Sequence, residues 1–164
     1  MTDAPRPTNP PAGYTSLTSY LVVDGAARAI DFYTATFGAT LVSRNDGADG
    51  TVAHAELQFP AGRLQLSDPL PDMNLVAPDG GNTVNHSYVL YCDDVDRVWQ
   101  AAVDAGATPF EEPSTFVTGD RFGSLLDPFG HRWAILTKVE HVDPAEAERR
   151  VNAWLAEQES AVSS

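Results

Sequence analysis

Basic residues are scarce in this chain: ten Lys and Arg stand against 23 Asp and Glu, for a formal net charge of −13. Such a balance argues against nucleic acid and anionic membranes as partners, because both attract positive charge. Cysteine is nearly absent. Cys92 alone rules out an internal disulfide framework, and within an apolar run it reads as a small buried hydrophobe rather than a nucleophile. No apolar run approaches the roughly 18 residues of a membrane span. The first residues also lack a charged-then-apolar signal pattern, so the expected address is the cytoplasm. Gly-rich phosphate loops of the Walker or Rossmann type are missing, as is a nucleophile elbow.

What the chain does contain is a faint second copy of itself about 68 residues along. Gly38-Ala39-Thr40 recurs as Gly106-Ala107-Thr108, and Pro60-x-Gly62 recurs as Pro128-x-Gly130. Leu21-Val-Val-Asp24 has its counterpart in Leu90-Tyr-Cys-Asp93. Two copies are too few for a solenoid and point to paired modules. Each module reads strand, helix, then three strands. Strand 16–23 leads to an Asp24 N-cap and a helix with Ala26, Ile30, Tyr33 and Phe37 on one stripe, stopped by Gly38. Strands follow at 39–44, 51–59 and 63–67, with turn chemistry at Asn45-Asp46-Gly47 and Asp49-Gly50. The second module repeats this with strand 85–92, an Asp93-Asp94 cap and a helix carrying Val95, Val98, Trp99 and Ala102. Gly106 stops that helix, and strands follow near 107–111, 119–126 and 131–137. Asp143-Pro144 starts a last helix that runs to about 157. Residues 1–13, with four prolines, are expected to be a disordered leader. Residues 14–158 are expected to form a single domain, with modules at about 15–68 and 84–138.

This plan, with Tyr20-Leu-Val-Val-Asp24, Ala29-Ile-Asp-Phe-Tyr33, His54-Ala-Glu-Leu57, Gly119-Asp-Arg121 and Asp127-Pro-Phe-Gly-His-Arg-Trp133, resembles the vicinal oxygen chelate superfamily. That is the glyoxalase, bleomycin-resistance and extradiol-dioxygenase group, and the likeness is greatest to its phosphonate-operon-B-like branch. The resemblance implies an α+β fold: two βαβββ modules paired into one domain with cup-shaped mixed sheets, plus a C-terminal helix. It also implies a homodimer and a small organic ligand held in the cup.

Catalytic members of the group hold a divalent metal with four side chains on the first and last strand of each module. Transferred here, those positions fall on Thr18, Gln65, Ser87 and Ala134. Ala134 cannot ligate, and neutral Thr18 and Ser87 are poor ligands. The resemblance then implies a metal-independent binding protein of the bleomycin-resistance kind, without cofactor, that sequesters a drug or metabolite. Strand alternation puts Arg63, Gln65 and Ser67 on one face with His54, Glu56 and Gln58, opposite Leu64, Leu66, Ala55 and Leu57. The candidate ligand-binding set is Thr18, Tyr20, His54, Glu56, Gln65, Ser67, Ser87, Tyr91 and Arg121.

Alternatives stand beside this reading. A one-residue slip of the fifth strand would exchange Ser87 for His86 on the inner face. A relocated metal could sit on His54, Glu56 and His86, as in a lyase or dioxygenase, or Glu56 could act as a metal-free general base. A hydrogen-bonded His54 and Glu56 pair bracing the sheet is the plainer alternative. Arg121 is either an anion clamp or an internal partner of Asp120 or Asp127. Tyr20 and Tyr91 either stack on a ligand or pack in the core. His131, after its turn, reads as a surface or turn-stabilising residue.

Overall fold

The computed structural model describes residues 9–162. Its chain forms two compact units that divide between Gly81 and Asn82. Of the expected leader, residues 1–8 lie outside the described residues.

In the first unit, β1 (Ser19–Val22), α1 (Ala26–Phe37), β2 (Thr40–Asp46), β3 (Val52–Gln58) and β4 (Arg63–Ser67) follow in order. The sheet runs β1-β4-β3-β2, with β1 parallel to β4 and the other pairs antiparallel. Helix α1 packs on β2 and β3. The predicted stripe of Ala26, Ile30, Tyr33 and Phe37 is buried, and Gly38 ends the helix in the left-handed conformation. Ala55, Leu57, Leu64 and Leu66 are buried, while Glu56, Gln58, Arg63 and Gln65 keep some exposure, as the period of two requires.

The second unit repeats the plan with β5 (Tyr88–Tyr91), α2 (Val95–Asp104), β6 (Thr108–Thr115), β7 (Asp120–Leu126) and β8 (Arg132–Lys138), followed by α3 (Pro144–Val162). Its sheet runs β5-β8-β7-β6, again with one parallel pair, β5 on β8. Val95, Val98, Trp99 and Ala102 of α2 are buried, and the Trp99 indole donates to the Ser124 carbonyl at 3.2 Å. Helix α3 begins as expected, with the Asp143 carboxylate accepting from the amides of Ala145 and Glu146, and it continues past 157. It is tied to its own unit where Trp154 meets Phe116 edge-on at 5.2 Å. Arg150 adds ion pairs to Glu140 and Glu146.

Strand β5 is shorter than the expected 85–92. Its leading residues satisfy one another locally, with His86 Nδ1 bonded to Asn85 Oδ1 at 2.8 Å. Strand β6 runs further than 107–111. It is an edge strand with two register shifts, and that irregularity accommodates Pro109 and Pro113.

The cap of α1 differs from expectation. Asp24 does not cap it; Gly25 holds the N-cap position with φ +89° and makes no side-chain cap bond. L side chains rarely adopt that φ, so glycine suits this position. The capping oxygen comes instead from Asp68, just past β4. Its Oδ1 accepts from the amides of Gly25 and Ala26 at 2.9 and 3.0 Å, and its Oδ2 from Val52 at 2.7 Å. Thr137 repeats the device in the second unit, its Oγ1 accepting from the Val95 amide at 2.8 Å and donating to the Cys92 carbonyl at 2.9 Å. Asp94 adds the predicted local cap there, accepting from Arg97.

Asp68→Ala leaves three part-buried amides without their acceptor and should lower stability by about 2–4 kcal/mol, read as a fall in the urea midpoint at constant m. Asp68→Asn keeps an acceptor and should lose less. Equal losses for the two variants would show that the carboxylate charge, rather than its lone pairs, holds the helix.

Candidate functional site

The polar face of the first sheet is organised around Arg63. Its Nε donates to Gln58 Oε1 and its Nη1 to Glu56 Oε2, both at 3.0 Å, across the antiparallel β3–β4 pair. The guanidinium carbon also lies 4.6 Å from the ring centroid of Tyr14, a cation–π contact. Gln65, two residues on and so on the same face, donates through Nε2 to the Tyr14 hydroxyl at 3.3 Å. Tyr14 is thereby held at two points by β4. Beside Gln65 in register stands Tyr20, which is 37% exposed and so not a core residue. Its ring lies 6.0 Å from that of His54. Ser67 is fully buried, and no partner bonds its hydroxyl. Thr18, just before β1, donates to the Thr15 carbonyl at 3.2 Å. A cleft of about 620 Å³ opens where residues 9–16 lie against Gln65.

His54 and Glu56 do not bond each other as a bracing pair among the hydrogen bonds described. Glu56 is an ion-pair partner of Arg63, with both side chains largely shielded from solvent. Its carboxylate accepts from Arg63 Nη1 at 3.0 Å and so serves as a support for that guanidinium.

In the second unit the pairing settles the fifth-strand register. Val89 stands opposite Ala134 and Tyr88 opposite Trp133. Ser87 therefore falls on the face of Ala134, where its Oγ accepts from Arg132 Nη1 at 2.9 Å. Arg132 also meets Glu111 at 3.2 Å, and the Ser124 hydroxyl bonds the same Glu111 oxygen. Tyr91, 61% exposed, lies on this face and outside the core. His86 turns to the other side, where its ring meets those of Tyr88 at 5.1 Å and His131 at 5.9 Å. His131 is buried, not at the surface, and its amide donates to Asp127 as part of the turn. Asp127 also accepts from the Trp133 indole at 2.8 Å. Arg121 lies on the α2 side of β7. Its fork is closed by Asp96, with both contacts at 2.6 Å, and this pair holds the Asp96 carboxyl below its ordinary range. Neither Asp120 nor Asp127 is its partner; Asp120 instead pairs with Lys138.

The four positions at which relatives of this fold would bind a metal do not suit a cation. Ala134 has no donor atom, and Ser87 already accepts from a guanidinium. Gln65 offers only a neutral amide, whose Nε2 donates to Tyr14, and Thr18 only a neutral hydroxyl, which donates to the Thr15 carbonyl. Among the described residues no three His, Cys, Asp or Glu side chains converge as a metal would need. Sequence reasoning missed Tyr14, assigning it no role, and Arg132. The repeat held a signal for the second, because Arg63-x-Gln65 aligns with Arg132-x-Ala134 once the two sheets are superposed by register.

The model of the Glyoxalase/Bleomycin resistance protein/Dioxygenase superfamily matches residues 14–135. An uncharacterized protein of Mycobacterium bovis is 36% identical over 143 residues, which cover 84% of this chain and 93% of that protein. Among solved structures, TioX from Micromonospora sp. ML1 is similar with a TM-score of 0.60 at 25% identity, over 74% of this chain and 97% of that one. The PhnB protein from Bacillus cereus is similar in fold, with a TM-score of 0.60 at 21% identity, over 75% and 99% of the two chains.

The aromatic cluster of the second unit makes a pH prediction. Burial, and after it the charge of Asp127, holds the Tyr88 phenol above its ordinary value of 10.0. The unfolded chain then releases this proton first, so the contribution is complete below pH 10.0 and is lost as the pH rises through the folded value. Urea midpoints measured between about pH 8 and 11 should fall at the alkaline end, and Tyr88→Phe should flatten that fall. An unchanged alkaline slope in the variant would assign the loss to other groups.

Proposed function

Because the chain belongs to the glyoxalase/bleomycin resistance protein/dioxygenase superfamily, we propose that it is a metal-independent small-molecule-binding protein of the bleomycin-resistance type, within the PhnB-like branch. It sequesters a drug or metabolite, and no bond is made or broken. The observation that carries this reading is the chemistry at the four strand positions. Ala134 has no side-chain donor atom, Ser87 accepts from Arg132, and Gln65 and Thr18 offer only a neutral amide and a neutral hydroxyl. A divalent ion needs carboxylate or imidazole ligands, and none of these four residues supplies either. The same face supplies what a ligand needs: aromatic rings at Tyr14 and Tyr20, and hydrogen-bonding groups at His54 and Gln65. Affinity in such a site comes from burial of the ligand between apolar walls, with a few polar groups setting orientation.

The test is elemental analysis of protein purified without chelator or affinity tag, then repeated after exposure to nickel, zinc, manganese and iron(II). No stoichiometric metal is expected in either state. Thermal unfolding against a library of neutral and charged aromatic compounds should then give ligand-dependent rises in Tm in chelator-treated protein. A stoichiometric ion that His54→Ala or Glu56→Ala removes would overturn the proposal in favour of a lyase or dioxygenase.

A further inference from the structure

We infer that the cleft between residues 9–16 and β4 recognises a neutral, planar organic molecule that carries a hydrogen-bond donor and acceptor side by side, and that Tyr14 and Gln65 read that edge. A lactam or a primary carboxamide on an aromatic ring has this chemistry. The inference rests on the metal-independent binding reading and adds to it a place and a ligand class.

The first support is hydrogen-bond arithmetic. A phenol has one donor, and a carboxamide has a donor end and an acceptor end. Tyr14 and Gln65 spend one bond on each other, Nε2 to the hydroxyl at 3.3 Å. That leaves the Tyr14 hydroxyl proton to donate and Gln65 Oε1 to accept. Turning the amide over reverses the roles but leaves the same sum, because Nε2 then donates outward and the phenol oxygen accepts. In either state the pair presents one donor and one acceptor together. Among the described residues no hydrogen bond is made by Gln65 Oε1.

The second support is that the pair is held in place before any ligand arrives. Arg63 lies against the Tyr14 ring, and Glu56 and Gln58 fix Arg63 in turn. Residue 13 allows that close approach: Gly13 sits at φ +86°, and a Cβ there would stand 2.9 Å from Arg63 Nη2. The Tyr14 amide closes a turn onto the Pro11 carbonyl at 3.1 Å. A ring fixed on one side by a guanidinium and at its hydroxyl by an amide has little rotational freedom left to lose on binding.

The third support is the character of the walls. Pro10, Pro11 and Tyr14 offer flat apolar surfaces, and Ser16 and Gln65 are polar but uncharged. Among the described residues, no Asp, Glu, Lys or Arg lines the cleft. An ionic ligand would give up hydration with no opposite charge among the described lining residues to receive it, and the neighbouring Arg63 is already paired with Glu56. The volume of about 620 Å³ suits a small organic molecule.

Three probes of one shape separate these terms in the full-length chain: benzamide, N,N-dimethylbenzamide, which has no donor, and benzoate, which is charged. Each is titrated against isotope-labelled, chelator-treated protein, and amide chemical shifts are followed, including the Gln65 side-chain amide. Benzamide should shift Gln65 and residues 14–16, and the other two should bind about tenfold more weakly. Tyr14→Phe and Gln65→Leu should each weaken benzamide about tenfold while the remaining spectrum stays in place, which shows the fold intact. Equal binding of all three probes overturns the inference, as does an absence of shifts at Gln65 and residues 14–16. Benzamide shifts confined to Tyr20 and His54 would also overturn it and leave metal-free binding standing. A stoichiometric metal beside benzamide binding at Tyr14 would instead remove the broader reading and leave this one.

Discussion

In both units, the residue that follows the last paired position of the fourth strand turns its side chain onto the first turn of the helix. Ser67 and Leu136 close the pairing with β1 and β5, and Asp68 and Thr137 come next. A parallel pair such as β1 and β4 cannot be joined by a tight turn, so its geometry depends on the crossover that links the strands. Asp68 fastens that crossover at three amides, at the starts of α1 and β3. Thr137 does the same work with a neutral hydroxyl, which accepts from Val95 and donates to Cys92. The asymmetry has a local reason. Helix α2 has its own cap in Asp94, whereas α1 begins at a left-handed glycine that brings no side chain, so the first unit needs a stronger acceptor from a distance.

With the helix fixed to one side of the sheet, the other side is free to be polar, and on it Arg63 sets the arrangement. Its charge is shared among Glu56, Gln58 and the face of Tyr14, and each contact uses a different part of the group. The planar fork takes the two side-chain oxygens, and the flat surface takes the ring. A lysine could reach one of these at a time. Glu56 thereby becomes a residue that acts through Arg63 upon Tyr14, and the segment before β1 is drawn onto the sheet.

Much of this was legible from residue patterns, for identifiable reasons. The strands β3 and β4 declared themselves because a sheet covered by a helix on one face must alternate, and from Ala55 to Gln58 and from Arg63 to Leu66 they do. Both helices were legible because their apolar stripes and stop glycines are local signals. The cap of α1 was not, since Asp68 lies 42 residues from the amide of Ala26 and no short-range pattern connects them. Tyr14 escaped for a related reason. A proline-rich stretch has too little apolar surface to dock by burial, and here residues 11–16 are instead held by a ring contact and a hydroxyl bond to β4, which composition does not record. Arg121 shows the converse error. Its residue type suggested a clamp, but its place on β7 faces α2, where Asp96 was waiting. Strand parity decides what a side chain can meet before its chemistry does.

The two guanidinium groups bear most directly on what this protein can bind. Arg132 bonds Ser87, and Arg63 is held against the Tyr14 ring by Glu56 and Gln58, so each unit carries a guanidinium on the sheet face away from its helix. Two unit charges about 4 Å apart interact by about 4 kcal/mol near a protein surface, and a divalent ion doubles that figure. The carboxylates of Glu56 and Glu111 offset part of the repulsion, but they are the same groups that hold the arginines in place. In the first unit the same guanidinium that sets a positive charge on the polar face also holds the Tyr14 ring, so a change that removes the charge removes the support beneath Tyr14.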